Sequence, residues 1–181
     1  MPTQLNTFNN NFYKPGSPLK ILLWHFTSLL VFNSGLFPFK FFKSSILRLF
    51  GASIGKKVVI KPYVNIKYPW FLKIGDYSWI GENVWIDNLA FVNIGENVVL
   101  SQGAYLLTGN HDYSKSTFDL KVNGIILEQG VWIGAKSVVC PGLICKDHSI
   151  LTVGSVATKN MDAYGIYQGN PAIKVKDRVI Q

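Results

Sequence analysis

The chain of 181 residues is 48% apolar and 15% charged, which suits one domain with a sizeable core and excludes a disordered polyelectrolyte. Net charge is +8, but residues 1–75 carry ten Lys or Arg and no acid, while residues 76–181 carry eight basic and ten acidic residues. That asymmetry reads either as a solvated basic face or as a face for something anionic: a membrane surface, a nucleic acid or a phosphorylated substrate.

Residues 1–16 form a polar lead-in that ends at Pro15-Gly16, with Asn6, Asn9, Asn10 and Asn11 and no secretory pattern. A reduced, cytoplasmic protein is therefore expected, and its two cysteines, Cys140 and Cys145, read as thiols rather than a disulfide. Ser17-Pro18 has the form of a helix N-cap followed by proline at the first helical position. Residues 19–32 are almost wholly apolar, which predicts a buried or membrane-contacting helix. His25 and Asn33 interrupt it short of the ~20 apolar residues that a membrane span needs. Gly35 and Pro38 should break it. A second helix is expected over residues 39–50, where Lys40, Lys43 and Arg48 alternate with Phe41, Phe42, Ile46, Leu47 and Leu49. The two helices either lie on an anionic bilayer or pack on the protein or a sister subunit.

From Ile54 the period becomes six, which is neither helical nor a simple alternation. Ile54, Ile60 and Ile66 are followed by Ile74, Ile80 and Ile86, and these by Ile94, Leu100 and Leu106. The pattern resumes with Leu127, Ile133, Val139, Cys145, Leu151 and Ala157. Four residues beyond most of these positions sits a small or β-branched one, such as Val64, Ser78, Val98, Ala104 and Ser137. The expected structure is a solenoid of triangular coils, each with three short strands and three corners, whose apolar residues stack in three inward columns. The spacing of twenty between early coils predicts two extra residues at one corner, near Lys67–Lys73 and Asn88–Val92. An antiparallel sandwich would leave fifteen positions on one template unexplained. The expected organisation is a lead-in and helical segment over 1–50, the coil over 51–160 with a loop at about 107–126, and a tail over 161–181.

The run Trp132-Ile133-Gly134-Ala135-Lys136-Ser137-Val138-Val139 with Pro141-Gly142, then Gly154-Ser155-Val156-Ala157-Thr158-Lys159 and Gly169-Asn170-Pro171-Ala172, resembles the C-terminal pattern of the hexapeptide-repeat acyltransferases. Leu47-Arg48-Leu49-Phe50-Gly51-Ala52, Tyr77-Ser78-Trp79-Ile80-Gly81 and Thr108-Gly109-Asn110-His111-Asp112-Tyr113 are similar to the colanic-acid-type O-acetyltransferases of bacterial polysaccharide biosynthesis within that family. The resemblance covers about residues 18–176. It implies an all-β fold, a left-handed parallel β-helix with an N-terminal helical segment, and the left hand is an exception to the usual right-handed crossover.

The activity implied is transfer of an acetyl group from acetyl-CoA, as co-substrate, to a sugar hydroxyl. Such transfer needs a base for the hydroxyl proton, and histidine suits that role near neutral pH. His25 sits in the apolar helix and His148 on an outward repeat position, so His111, in the interruption of the coil, is the candidate base. Asp112 or Asp119 could orient it. Without a Ser or Cys nucleophile signature, direct transfer is the simplest mechanism. By resemblance Asp87, with Asn88 beside it, would contact the acceptor, although a turn role fits both residues equally well. Coenzyme A would lie between coils of two subunits. Trp132 would meet its pantetheine arm, Ala135 and Val153 would offer backbone groups, and Thr158 and Lys159 would reach the adenine and phosphate end. Lys176 would supply the charge that the family often places on arginine.

The resemblance further implies a homotrimer and an oligosaccharide or sugar acceptor that is lipid- or nucleotide-linked; no metal and no nucleic acid are expected. Separately, the apolar and basic residues 19–50 offer peripheral contact with the inner membrane as the alternative to packing on the protein. Two alternatives stand beside this reading. One is an N-acetyltransferase on an amino sugar, many of which add an N-terminal α/β subdomain that this sequence does not show. The other is a non-catalytic β-helix that binds an anionic surface through residues 1–75.

Overall fold

The computed structural model describes residues 2–34 and 40–181. The Ser17 hydroxyl accepts the Lys20 N–H at 3.3 Å and Pro18 opens helix α1, Pro18–Thr27, which continues as a wider π turn over Ser28–Phe32. This helix is apolar over most of its surface, with Lys20 and His25 as its charged or titratable residues. Trp24, Val31 and Phe32 are buried, whereas Leu19, Leu22, Leu23, Phe26 and Leu30 face outward. Trp24 anchors it: the indole N–H donates to the Ile66 carbonyl at 2.9 Å and the ring packs on Phe32 and Phe50. The break expected at Gly35 and Pro38, and the helix start expected at residue 39, lie outside the described residues.

Helix α2, Lys40–Leu49, covers the open end of the coil, where strand carbonyls would otherwise lack partners. The Arg48 guanidinium donates to the carbonyls of Ile54 and Gly55 at 2.9 Å. Lys43 is only 2% exposed; its ammonium donates to the Lys61 carbonyl at 2.9 Å, and burial pushes its pKa down. Of the ten cations in the basic segment, Lys43 thus belongs to packing rather than to an open face, while exposed Arg48 spends donors on the end of the coil.

The period of six builds a parallel β-solenoid of about six turns with three faces. On the first face Ser53–Ile54, Leu72–Ile74, Val92–Ile94, Ile125–Leu127 and Ile144–Cys145 lie side by side. The second begins with Val59–Ile60 and Trp79–Ile80, and the third with Asn65–Ile66 and Trp85–Asp87. The register pairs Ile54 with Ile74, Ile94, Leu127 and Cys145 in turn. Ile60, Ile80, Leu100, Ile133 and Leu151 make the second column. Ile66, Ile86, Leu106, Val139 and Ala157 make the third. All fifteen are buried, and stacking them removes most of the apolar surface from water at ~25 cal/mol per Å².

The small residues sit at corners and tie one coil to the next. Ser78 donates to the Gly95 carbonyl at 2.8 Å and accepts the Val98 N–H at 3.0 Å; Ser137 donates to the Thr152 carbonyl at 2.7 Å. At Gly75 a Cβ would lie 2.6 Å from the Gly95 carbonyl carbon, so only glycine lets the coils close there. The two extra residues per early coil form the turn Pro69–Phe71 and the corner after Asp87. Cys145 is a buried free thiol against the Met161 sulfur at 3.7 Å, and burial pushes its pKa up to about 12.

Residues 161–181 do more than trail away. Met161 bridges to Cys145, Gly165–Gly169 pairs with Ile150–Leu151, and the chain turns back as Ala172–Asp177 to close the second face. The coil is interrupted between Tyr105–Leu107 and Ile125–Leu127. There the chain leaves the third-to-first corner as a ribbon in which Gly109–His111 runs antiparallel to Leu120–Val122.

Candidate active site

Buried Thr108 is the root of the ribbon. Its hydroxyl donates to the Asp87 carbonyl at 2.7 Å and accepts the Ala90 N–H at 3.1 Å, while its carbonyl accepts the N–H of Asn123 on the returning strand at 2.9 Å. One threonine therefore ties both legs of the ribbon to the coil below.

His111 closes the ribbon opposite Leu120. Its Nδ1 lies 2.8 Å from the Phe118 carbonyl. A carbonyl only accepts, so Nδ1 carries the proton of the neutral ring and Nε2 keeps the lone pair. The Phe118 ring stacks on the imidazole at 4.4 Å and 10°, and the Phe8 ring tilts against it at 5.8 Å. Phe118 adopts a left-handed backbone, φ 51°, as corner residues such as Tyr63 and Tyr77 also do.

Neither acid expected to orient the ring does so. Asp112 pairs with Lys121 across the ribbon at 3.0 Å and with Ser114. The Ser114 hydroxyl, then the Lys121 ammonium, holds the Asp112 carboxyl down at about 2. Asp119 pairs with Lys115 at 2.9 Å, and the Thr117 hydroxyl and that ammonium lower its pKa. Their work is to shape the ribbon.

A cavity of about 430 Å³ opens beside His111. The ribbon lines it with His111 and Leu120, the coil with Lys67, Tyr68 and Leu89, and the lead-in with Phe8, Asn10, Tyr13 and Pro15. Asp87 lies behind Lys67, 7% exposed, with the ammonium 3.1 Å from Oδ1 as an ion pair rather than an aligned hydrogen bond. The Tyr105 hydroxyl donates to Oδ2 at 3.5 Å; burial, then Asp87, raises that hydroxyl to about 12. Asn88, expected beside Asp87 near the acceptor, is held by structural bonds. It is fully buried, its Oδ1 accepts the Tyr68 N–H at 3.0 Å and its Nδ2 donates to the Tyr68 carbonyl at 2.6 Å, so both ends of the amide hold the neighbouring coil.

The expected donor residues lie elsewhere on the same chain. Ala135 and Val153 stack at the second-to-third corner, where the Gly154 N–H donates to the Ala135 carbonyl at 2.9 Å. Trp132 is 45% exposed on the second face, its indole N–H donating to Ser101 at 2.9 Å. Thr158 and Lys159 are exposed at the third-to-first corner two coils beyond the ribbon, and Lys176 is exposed on the strand that closes the second face. His111 and the Ala135–Val153 pair thus occupy opposite ends of the third face, so one chain does not bring them together. Sequence reasoning missed Phe118, Lys67 and the lead-in. The repeat of twenty does signal one of them, because it stacks Lys67 on Asp87.

No family model matches the chain. The chain is 35% identical over 167 residues, 92% of each protein, to a protein of Escherichia coli (strain K12) provisionally named a colanic acid biosynthesis acetyltransferase. A hexapeptide-repeat acetyltransferase of Vibrio cholerae O1 biovar eltor, complexed with acetyl coenzyme A, shares the fold with a TM-score of 0.82. That structure is 20% identical, and the match covers 90% of this chain and 88% of that one. A maltose O-acetyltransferase of Clostridium difficile 630 gives 0.81 at 20% identity, covering 91% and 90%.

Proposed function

Because the chain belongs to the hexapeptide-repeat acetyltransferase family, we propose that it moves the acetyl group of acetyl-CoA to a saccharide hydroxyl in bacterial polysaccharide assembly, with His111 as general base. The observation that carries this reading is the Nδ1 contact to the Phe118 carbonyl, which leaves Nε2 as the basic atom beside a ligand-sized cavity. Nε2 takes the acceptor hydroxyl proton as that oxygen attacks the thioester carbonyl. When the tetrahedral intermediate collapses, the imidazolium returns the proton to the departing sulfur, so the products are an acetyl ester and free thiol. Acetyl-CoA supplies the activated acyl group. Trp132, Ala135 and Val153 would hold its arm, and Thr158, Lys159 and Lys176 its anionic end.

The separation of His111 from Ala135 and Val153 supports a homotrimer in which the base of one copy faces the donor groove of the next. The outward stripe Leu19, Leu22, Leu23, Phe26 and Leu30, in a segment without acids, supports peripheral contact with an anionic membrane and a lipid-linked acceptor. Among the described residues no helix is long and apolar enough to cross a membrane. Sedimentation with anionic vesicles at low salt tests the contact, and a protein that stays in the supernatant removes it.

The activity itself is tested by following thiol release from acetyl-CoA with saccharide acceptors and then treating the product with mild alkali. An alkali-labile acetyl ester is expected. An alkali-stable amide formed only on amino sugars would replace this reading with N-acetyl transfer.

A further inference from the structure

The cavity beside His111 has one wall that the repeat does not build. Residues 4–15 lie outside the coil, yet both ends are tied down. The Gln4 N–H donates to the Ser116 carbonyl of the ribbon at 2.8 Å, and the Tyr13 hydroxyl donates to the Leu89 carbonyl of the coil at 2.6 Å. Between the ties run a single turn, Leu5–Thr7, and a second turn closed by the Tyr13 N–H on the Asn10 carbonyl at 2.8 Å. Phe8 and Tyr13 are half-buried toward the cavity, whereas Leu5 and Phe12 stand in solvent. The segment bridges ribbon and coil across the space where an acceptor must sit if Nε2 is to reach its hydroxyl.

We propose that residues 4–15 form the acceptor-binding wall of this site, and that Phe8 and Tyr13 select an acceptor with a pyranose ring. The proposal rests on the reading of His111 as the base. Its chemistry follows from the lining, which combines the aromatic rings of Phe8, Tyr13 and Tyr68 with the Asn10 amide and the Lys67 ammonium. A pyranose has the matching composition: a C–H face that packs on a π surface and hydroxyls that need donors and acceptors. Phe8 lies 5.8 Å from the imidazole and both line the same cavity, so a ring resting on the wall sits beside the base. Burial, then the nearby Tyr68 and Asp87, pushes the Tyr13 hydroxyl up, which keeps it a donor to Leu89 and the wall in place at neutral pH.

The test is steady-state kinetics of the full chain with a saccharide acceptor, comparing wild type, Phe8→Ala, Phe8→Trp and His111→Ala. Phe8→Ala is expected to raise the acceptor KM about tenfold while kcat and the acetyl-CoA KM stay within about twofold. Phe8→Trp, which keeps an aromatic face, is expected to restore most of the loss. If Phe8→Ala instead lowers kcat and moves the pH–rate profile with the acceptor KM unchanged, Phe8 only buttresses the imidazole and the wall is refuted. Unchanged kinetics refute it too. Phe8 lies outside the buried core, and calorimetric binding of coenzyme A to the variant reports that it folds. Activity retained by His111→Ala would remove the base reading instead, so the two failures are separable.

Discussion

From Ile54 to Ala157 each inward side chain meets its counterpart one coil away, and backbone, column and corner all repeat the same contact. Between Thr108 and Gly124 nothing repeats. The ribbon is held by one buried threonine, two ion pairs at its surface and a segment from the far N-terminus. The coil distributes its stability over many equivalent contacts, so no single one is suited to chemistry. The ribbon concentrates orientation on one imidazole through few contacts, as loops that carry function do. The lesson is a division of labour: substitutions in the coil should change stability and leave turnover, and substitutions in the ribbon should do the reverse.

His111→Ala is the sharpest way to test that division. It should lower kcat by about 10²–10⁴-fold while the melting temperature stays that of the wild type, as read by parallel kinetics and calorimetry. Ile86→Ala, in the third column, should do the opposite. It should cost about 2–5 kcal/mol of stability by denaturant unfolding, with turnover per folded molecule unchanged. A coil variant that lost turnover while keeping its stability would break the comparison.

The three columns, the extra residues at two corners and the single interruption were legible because the period of six is strict and the spacing from Leu106 to Leu127 is not. His111 was legible as the one histidine in that gap, with the resemblance behind it. The hand of the coil came only from the resemblance. The partner of Nδ1 was not legible, since a backbone carbonyl leaves no mark in a sequence and the nearby acids Asp112 and Asp119 draw the eye. The lead-in could not be placed, because residues 4–15 have no period and are held by scattered polar ties. Asn88 was ambiguous because an amide that closes a corner and one that meets a sugar are the same residue type.

Asn88→Ala resolves that ambiguity. It removes both bonds to Tyr68 and leaves buried backbone groups unpaired, so a loss of about 1–3 kcal/mol in stability is expected with the acceptor KM unchanged. A raised KM at full stability would return Asn88 to the acceptor site.

The smallest expected effect is in acid. The Asp112 carboxyl sits at about 2 rather than 3.8, so the ribbon contact it makes is complete above the ordinary value and is lost as pH falls toward the lower one. Amide exchange in Gly109–His111 and Leu120–Val122 should therefore quicken over that window while the coil stays protected, and Asp112→Asn should weaken the pH dependence to what the Asp119–Lys115 pair still supplies. Simultaneous loss of protection in both regions would show that they are not separate units.

Whether the ribbon presents the Nε2 lone pair of His111 is read directly by the nitrogen-15 spectrum of its imidazole, taken where the ring is neutral. The expected result is a proton on Nδ1 and a pyridine-like shift for Nε2. A proton on Nε2 with Nδ1 bare would contradict the assignment of the base.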